Sequence, residues 1–519
     1  MTIAYEPGYA RPNTDAPVGW DIEIGNPMAT AWRPLGGYMS GTGFEWDWNK
    51  PTFATVKIKG DHPMAGYLVQ CRRRVIHIRT WRNGIPWDGR VMHANVKGKP
   101  GREVITLTCI SNLVWLMSGL CWVNNTLPPE FQINITGKQN VKWGPFDMVS
   151  KLYLAEVMTR LRKPVYGKLP VRRTVPELPD LDDIDTLDDL LDIAAEALDE
   201  MCVLQARATQ LDELFDQTVQ MQEIGLSCHL WSIADGLPSP KVFNTDTIAQ
   251  LRSVMDYTSD NFLNFTNPGN ILGLQDPSTW NKLTRSGYVF DTHAKRDMRK
   301  IQFRTDSTQV EYYERDVAHA TAHKVLIGGK APEIMNQVIE WGANFALQLL
   351  LNALFPGLNL GTILVGDLFD DVFFAFQQFW DPDLEAELGE HGLGEKFGDN
   401  TAAWSLDAWA NGQATLKENS GSDTVKIQLS SGTPDGRGYS MGVDDGTGRR
   451  FQVGDIVTLW DRGTTVEQWI SNVKVVDAGD GRMVETVTLG QDRTKDGWER
   501  VFAHLQNYAG IFRGIANSV

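Results

Sequence analysis

Between residues 44 and about 135 the chain alternates apolar and polar side chains in short runs. Ala54, Val56 and Ile58 alternate with Phe53, Thr55, Lys57 and Lys59, and Gly60-Asp61-His62-Pro63 ends the run. A period of two closed by a turn is the signature of a half-buried strand. Residues 75–81 read as another strand, Arg82-Asn83-Gly84 supplies hairpin chemistry, and a third strand starts at Trp87. Lys97-Gly98-Lys99-Pro100-Gly101 then turns the chain into 104–109. The same texture returns over 414–492, where Val453-Gly454-Asp455 opens a strand, Asp480-Gly481 is a turn, and 484–490 closes with clean alternation. Each stretch predicts a small antiparallel barrel.

Elsewhere the period is helical. Residues 146–161 read as a helix, and Pro164, Pro170, Pro176 and Pro179 then keep the chain extended. Ile184, Leu187, Leu191, Ala194, Leu198 and Met201, followed by Leu211, Leu214 and Phe215, predict an interrupted amphipathic helix over 181–224. Residues 312–326 predict a helix carrying His319 and His323 one turn apart, and 498–512 a terminal helix that docks on a partner surface.

One stretch is unlike the rest. Between Trp341 and Gly366 no side chain is charged, yet Asn344, Gln348, Asn352 and Asn359 interrupt the run and Pro356-Gly357 breaks it. The pattern predicts an apolar helical hairpin, its first helix starting near Pro332 and its second near Asp367. Glu340, Asn344, Gln348 and Asn352, four residues apart, form a polar track on the first helix. Phe369, Phe373, Phe376 and Trp380 make the second aromatic. Amides on a greasy helix need partners, which equivalent helices of other subunits, a wet channel or the inside of a large core would supply.

The resulting fold class is α+β multidomain: two small antiparallel β-barrels with helical insertions and an apolar helical hairpin. The expected division is an N-terminal arm (1–43), a first barrel (44–145), a helix, proline linker and acidic helices (146–226), and a mixed α/β stretch (227–331). The hairpin with a Gly-rich loop (332–400), a second barrel (401–496) and a C-terminal helix (497–519) follow.

Composition narrows the function. A net charge of −16 argues against a general nucleic-acid binder. The charge is uneven: residues 51–102 hold eleven Lys or Arg against Asp61 and Asp88, whereas 177–223 hold fifteen acidic residues and only Arg207. The basic stretch is also rich in Trp, which fits a barrel core with a cationic face meeting an acidic neighbour, or a stacking surface for glycans or single strands. Five scattered cysteines without CxxC spacing indicate neither a disulfide framework nor a zinc site, and point to folding in a reducing cytoplasm. The start of the sequence shows no secretory signal pattern. No cofactor is implied. Asp180, Asp182 and Asp185 lack the glycine and terminal Glu of a calcium loop, and His319 and His323 lack the Glu of HExxH. Glu45 and Asp47, between Trp46 and Trp48, should share one face of a strand, the only pair suggesting a glycosidase.

Residues 87–91 through 105–111, with 453–457 and 487–490, resemble the minor tail proteins of long-tailed phages infecting actinobacteria, the family of trimeric tail-tip (baseplate) hubs. The resemblance covers about two-fifths of the chain. It implies a non-enzymatic virion protein, a homotrimer whose two related barrels per subunit give an approximately six-fold ring that mates with the hexameric tail. Implied partners are the distal tail protein, the tape measure protein, other minor tail proteins and the host envelope or membrane, with phage DNA passing without specific binding. In such a hub the hairpin would close the channel and insert in the host membrane on release. A tail-associated cell-wall hydrolase and a glycan-binding adhesin are the alternatives.

Overall fold

The computed structural model describes residues 19–125, 127–129, 131–132, 140–168, 201–221, 223–243, 281–328, 376–398, 415–416, 419–431, 438–479 and 482–490. The charge-free run therefore lies outside the described residues, as do Glu340, Asn344, Gln348, Asn352, Phe369 and Phe373.

The chain first lays down β1 (Ile22–Gly25), β2 (Gly43–Asp47), β3 (Phe53–Lys59), β4 (His77–Arg82), β5 (Ile85–Lys97) and β6 (Val104–Ser111). β3 buries Ala54, Val56 and Ile58, as its alternation requires. Asn83 and Gly84 join β4 to β5 with φ of 44° and 87°, a two-residue turn whose left-handed pair matches the twist of the strands.

Next comes a lobe made of α1 (Phe146–Arg160), β7 (Val165–Lys168), α2 (Leu211–Met221), β8 (Ile224–Ser232) and β9 (Ser286–Ala294). β9 pairs antiparallel with β8 and parallel with β7. Phe146, Tyr153, Phe215 and Phe290 centre its core. The helix predicted over 146–161 is present, and so is the end of the acidic helix. Met201–Ala206, however, is a strand paired with Asn140–Pro145, because an available backbone edge outweighs the weak helical spacing there.

β10 (Arg296–Arg304) and β11 (Val310–Ala318) follow, so the helix expected over 312–326 is a strand instead. β11 is rich in Val and Tyr, pairs along its length with a later strand, and leaves His319 exposed while His323 is buried. β12 (Lys324–Gly328), β13 (Phe376–Trp380), α3 (Pro382–Leu388) and β14 (Glu395–Gly398) build a small sheet with β12 central. Phe376 and Trp380, expected on the second helix of the hairpin, are thus strand residues. Asp381 stops that strand and caps α3, accepting from Leu384 N at 3.0 Å.

The chain ends its described course with β15 (Ser422–Ser431), β16 (Asp455–Asp461), β17 (Thr464–Gly479) and β18 (Arg482–Leu489). The strand order is β2-β3-β6-β5-β4-β1 in the first half and β11-β15-β18-β17-β16-β10 in the second. Matched in chain order, these are one topology used twice. Each repeat has a long central strand, 13 and 16 residues, that pairs through its first part with the strand before it and through its second part with the strand after. Each central strand has a register shift near the change of partner, between Val91 and His93 and between Ile470 and Asn472. Each enters from a two-residue left-handed turn, the second being Arg462 and Gly463 at 49° and 91°. The repeats differ at β10, which runs parallel to β16, whereas β1 is antiparallel to β4.

Neither repeat is the closed barrel expected. The edge of β2 that closure would need is taken by β17, in a ladder running from Asn472 opposite Asp47 to Val476 opposite Gly43. The repeats become one continuous sheet over one core, in which Phe44, Val56 and Ile78 belong to the same cluster as Phe303, Val457 and Val475. Arg82 locks the arrangement: its Nε lies 2.9 Å from Glu485 on β18, whose other oxygen accepts from Met441 N at 2.9 Å. Glu485 is completely buried. Replacing Arg82 with Ala strands that carboxylate, and stability in urea should fall by about 3–5 kcal/mol.

Candidate functional site

The two repeats and the lobe meet at a cleft of about 130 Å³ lined by the end of β2, by β5, by β8 and β9, and by the loop before β16. β2 delivers Trp48 into it. Trp48 packs edge-on against His293 of the lobe, ring centres 5.2 Å apart, and against Trp469 of the second repeat, 5.9 Å apart. Two glycines make room. A Cβ on Gly225 would lie 2.6 Å from the Trp48 ring and 2.4 Å from His293 Nε2, and one on Gly454 would lie 2.0 Å from the ring. Gly454 also has φ +89°, so no other residue fits there without strain. Beside Trp48, the Asn49 amide imitates a strand: its Nδ2 donates to Ile224 O at 2.8 Å and its Oδ1 accepts from Leu226 N at 2.6 Å, tying the β2 turn to β8.

The charged groups in the cleft are paired across these boundaries. Asp88 of β5 accepts from His229 Nδ1 at 2.7 Å and from Leu230 N at 2.6 Å, both on β8, and from Asn112 at 2.6 Å. Burial pulls the His229 pKa down, but Asp88 outweighs it and leaves the imidazole raised. Arg296 grips Asp455 through two bonds of 2.7 and 2.8 Å. Burial lowers His293 to about 4 despite the nearby Asp291, with His229 and Arg296 adding to the fall. On the same seam Tyr288 of β9 lies 3.4 Å from His77 of β4 and accepts from Arg90 at 3.1 Å. Burial holds His77 down to about 4 as well. Cys228 is buried beside this cluster and burial pushes its thiol up, which keeps it protonated and not nucleophilic. The chemistry of this site is that of a joint: ion pairs, a wedge and neutral imidazoles between three parts of one chain.

Glu45 and Asp47 do share a face of β2. Both accept from the one amide of Asn472, at 2.7 and 2.8 Å, which pins them into the β2–β17 ladder. His323 Nδ1 donates to Leu393 O, 2.9 Å away, and does not meet His319 on a helix face. Of the expected hairpin residues only Phe376 and Trp380 are described. Trp380 is half exposed on β13 and donates to Glu385 at 2.6 Å.

A family model described as Siphovirus ReqiPepy6 Gp37-like protein matches residues 35–491. The chain belongs to that family. No curated protein matches the sequence. Among solved structures it is similar to the 43 kDa tail protein of prophage MuSo2 from Shewanella oneidensis, at 10% identity and TM-score 0.44 over 91% of this chain and 98% of that one. It is also similar to a tail protein from Neisseria meningitidis MC58 (9%, TM-score 0.42, 91% and 97%) and to prophage tail protein gp18 from Listeria monocytogenes EGD-e (9%, TM-score 0.41, 95% and 99%).

In this siphovirus family member the match spans the second repeat, the first repeat from β2 onward and the joint between them. The joint residues escaped the sequence reading because Trp48, Gly225, His293 and Gly454 are far apart in the chain. The one local signal was Trp46-Asp47-Trp48-Asn49 at the end of a strand, too much large aromatic surface for an ordinary turn.

Two outcomes follow from this geometry. Gly225→Ala forces Trp48 and His293 to shift and should cost about 1–3 kcal/mol in urea denaturation. His77 is neutral when folded and has an ordinary pKa when unfolded, so between pH 6.5 and about 4 the unfolded state binds a proton that the folded state does not. Its contribution is complete above pH 6.5 and is lost as pH falls, about 3 kcal/mol in all. His77→Gln should flatten the acid limb of a stability-against-pH curve, whatever its effect on absolute stability.

Proposed function

We propose that the protein is a structural component of the siphovirus tail tip, a trimeric baseplate hub that joins the tail tube to the tip and lets phage DNA pass without binding it specifically. The observation that carries this reading is the internal repeat. Two copies of one six-strand topology in each chain mean that three subunits present six similar units, enough to match a hexameric tube. Family membership supports the virion half of the reading. The joint supports the rest: a ring part that transmits load needs its units fixed to one another, and here they share a ladder, a core and buried ion pairs. Its partners there are the distal tail protein, the tape measure protein and other minor tail proteins, with the host envelope beyond.

Antibodies against the purified chain, tagged with gold, should mark one end of the tail in electron micrographs of virions. Labelling along the tube or on the capsid, or virions without the protein, would remove the proposal.

A further inference from the structure

Two exposed surfaces of this chain have opposite character. On the small sheet, β12, β13 and β14 place Lys324, Trp380 and Glu395 in register, and Leu326 opposite Gln378 and Phe397. The other face buries Val325 and Phe379. Alternation puts Trp380 and Phe397 on the outer face, each 53% exposed, and Leu393 beside them is 55% exposed. Asp383, Glu387, Glu390 and Glu395 around them are exposed and acidic. The surface is aromatic at the centre and negative at the rim.

The second surface lies on the first repeat, where the turn Val69–Arg72 rests against β5. Arg72, Arg73, Arg74, Lys97, Lys99 and Arg102 are exposed and make no ion pair among the described residues. Val75, Met92 and Val96, between 43% and 50% exposed, lie among them. Three further cations of this stretch are engaged, Arg79 with Glu23 and Asp235, Arg82 with Glu485 and Arg90 against Trp115, and Arg74 of the patch itself lies over the Tyr67 ring. What remains is a positive, partly apolar patch on a chain of net charge −16.

We infer that the acidic aromatic face of the β12–β14 sheet docks on the basic patch of a second copy of this chain, so that neighbouring subunits meet head to tail. The occupant follows from charge. Chains this acidic repel at random approach, and an unpaired positive patch is where a like molecule can present its negative face without cost. Each face also carries apolar area that monomeric surfaces seldom leave clustered, aromatic on one side and aliphatic on the other. Because the two faces are different patches, the contact is heterologous and closes a ring or propagates. This deepens the reading of the chain as a ring subunit but does not depend on where in the virion the ring sits.

Light scattering on the purified full chain reads it out. Wild type should run as a multiple of its 58.1 kDa mass and fall towards a monomer in high salt. Trp380→Ser with Phe397→Ser, and separately Arg72→Glu with Arg73→Glu and Arg74→Glu, should each run as monomers with wild-type circular dichroism. Lys97→Glu, Lys99→Glu and Arg102→Glu together provide a second basic-side variant should the first fail to fold. Mixing an aromatic-side and a basic-side variant should restore one pairing, a one-to-one dimer and nothing larger, because each brings the face the other lacks. A monomeric wild type, unchanged assembly in the variants, or no dimer on mixing would each overturn the inference. Labelling of the tail would still stand in that case, and the converse failure would leave the self-association intact.

Discussion

A strand edge is a row of unpaired amides and carbonyls that must be covered, and the structure depends on how one such edge is covered. β2 could have closed the first repeat on itself. It pairs with β17 instead, through residues 43–47 and 472–476. That choice turns two units into one sheet, merges their cores, and carries the chain past Asp47 to the point where Trp48 reaches the second repeat and the lobe at once.

The polar groups at this junction follow from burying that edge. Glu485, Asp455 and Asp88 are buried carboxylates, and each is met by a cation or amides from another part of the sequence: Arg82, Arg296, and His229 with Leu230 N. Burial raises the Asp455 pKa even against Arg296, a sign that desolvation is not fully offset. Such pairs add little net stability over apolar packing. They exclude alternative dockings, since a slipped register would leave a charge buried alone.

What could be read from the sequence was local. The Asn83-Gly84 turn, the alternation of β3 and β18, and the helix over 146–160 are fixed by residues within a few positions of one another. Partners were not legible, because β2 finds β17 more than 400 residues away and β16 finds β10 across the whole small sheet. The errors have the same source. Tyr313 to Val317 has helical as well as strand spacing, and only the waiting edge of β15 decides between them. Met201 fails as a helix residue for the same reason. At the candidate site the two carboxylates of β2 were legible as a pair, but Asn472, which gives them a structural part to play, was not.

The repeat also explains where the unusual sequence sits. In the first repeat the connection from β2 to β3 is a tight turn of residues 48–52, and it holds the wedge Trp48 and the tie Asn49. The equivalent connection in the second repeat, from β11 to β15, spans residues 319–421 and carries the small sheet and the charge-free run. A doubled topology is free to vary at connections, where no ladder is interrupted, and one position has been used in two ways. In the first copy it fastens the repeats to the lobe. In the second it carries a sheet that, among the described residues, buries Val325 and Phe379 with Leu416 and leaves Trp380 and Phe397 exposed. Exposed aromatic surface on an insertion of this kind offers a place for contact with another molecule that the shared core, closed by its own ladders, does not.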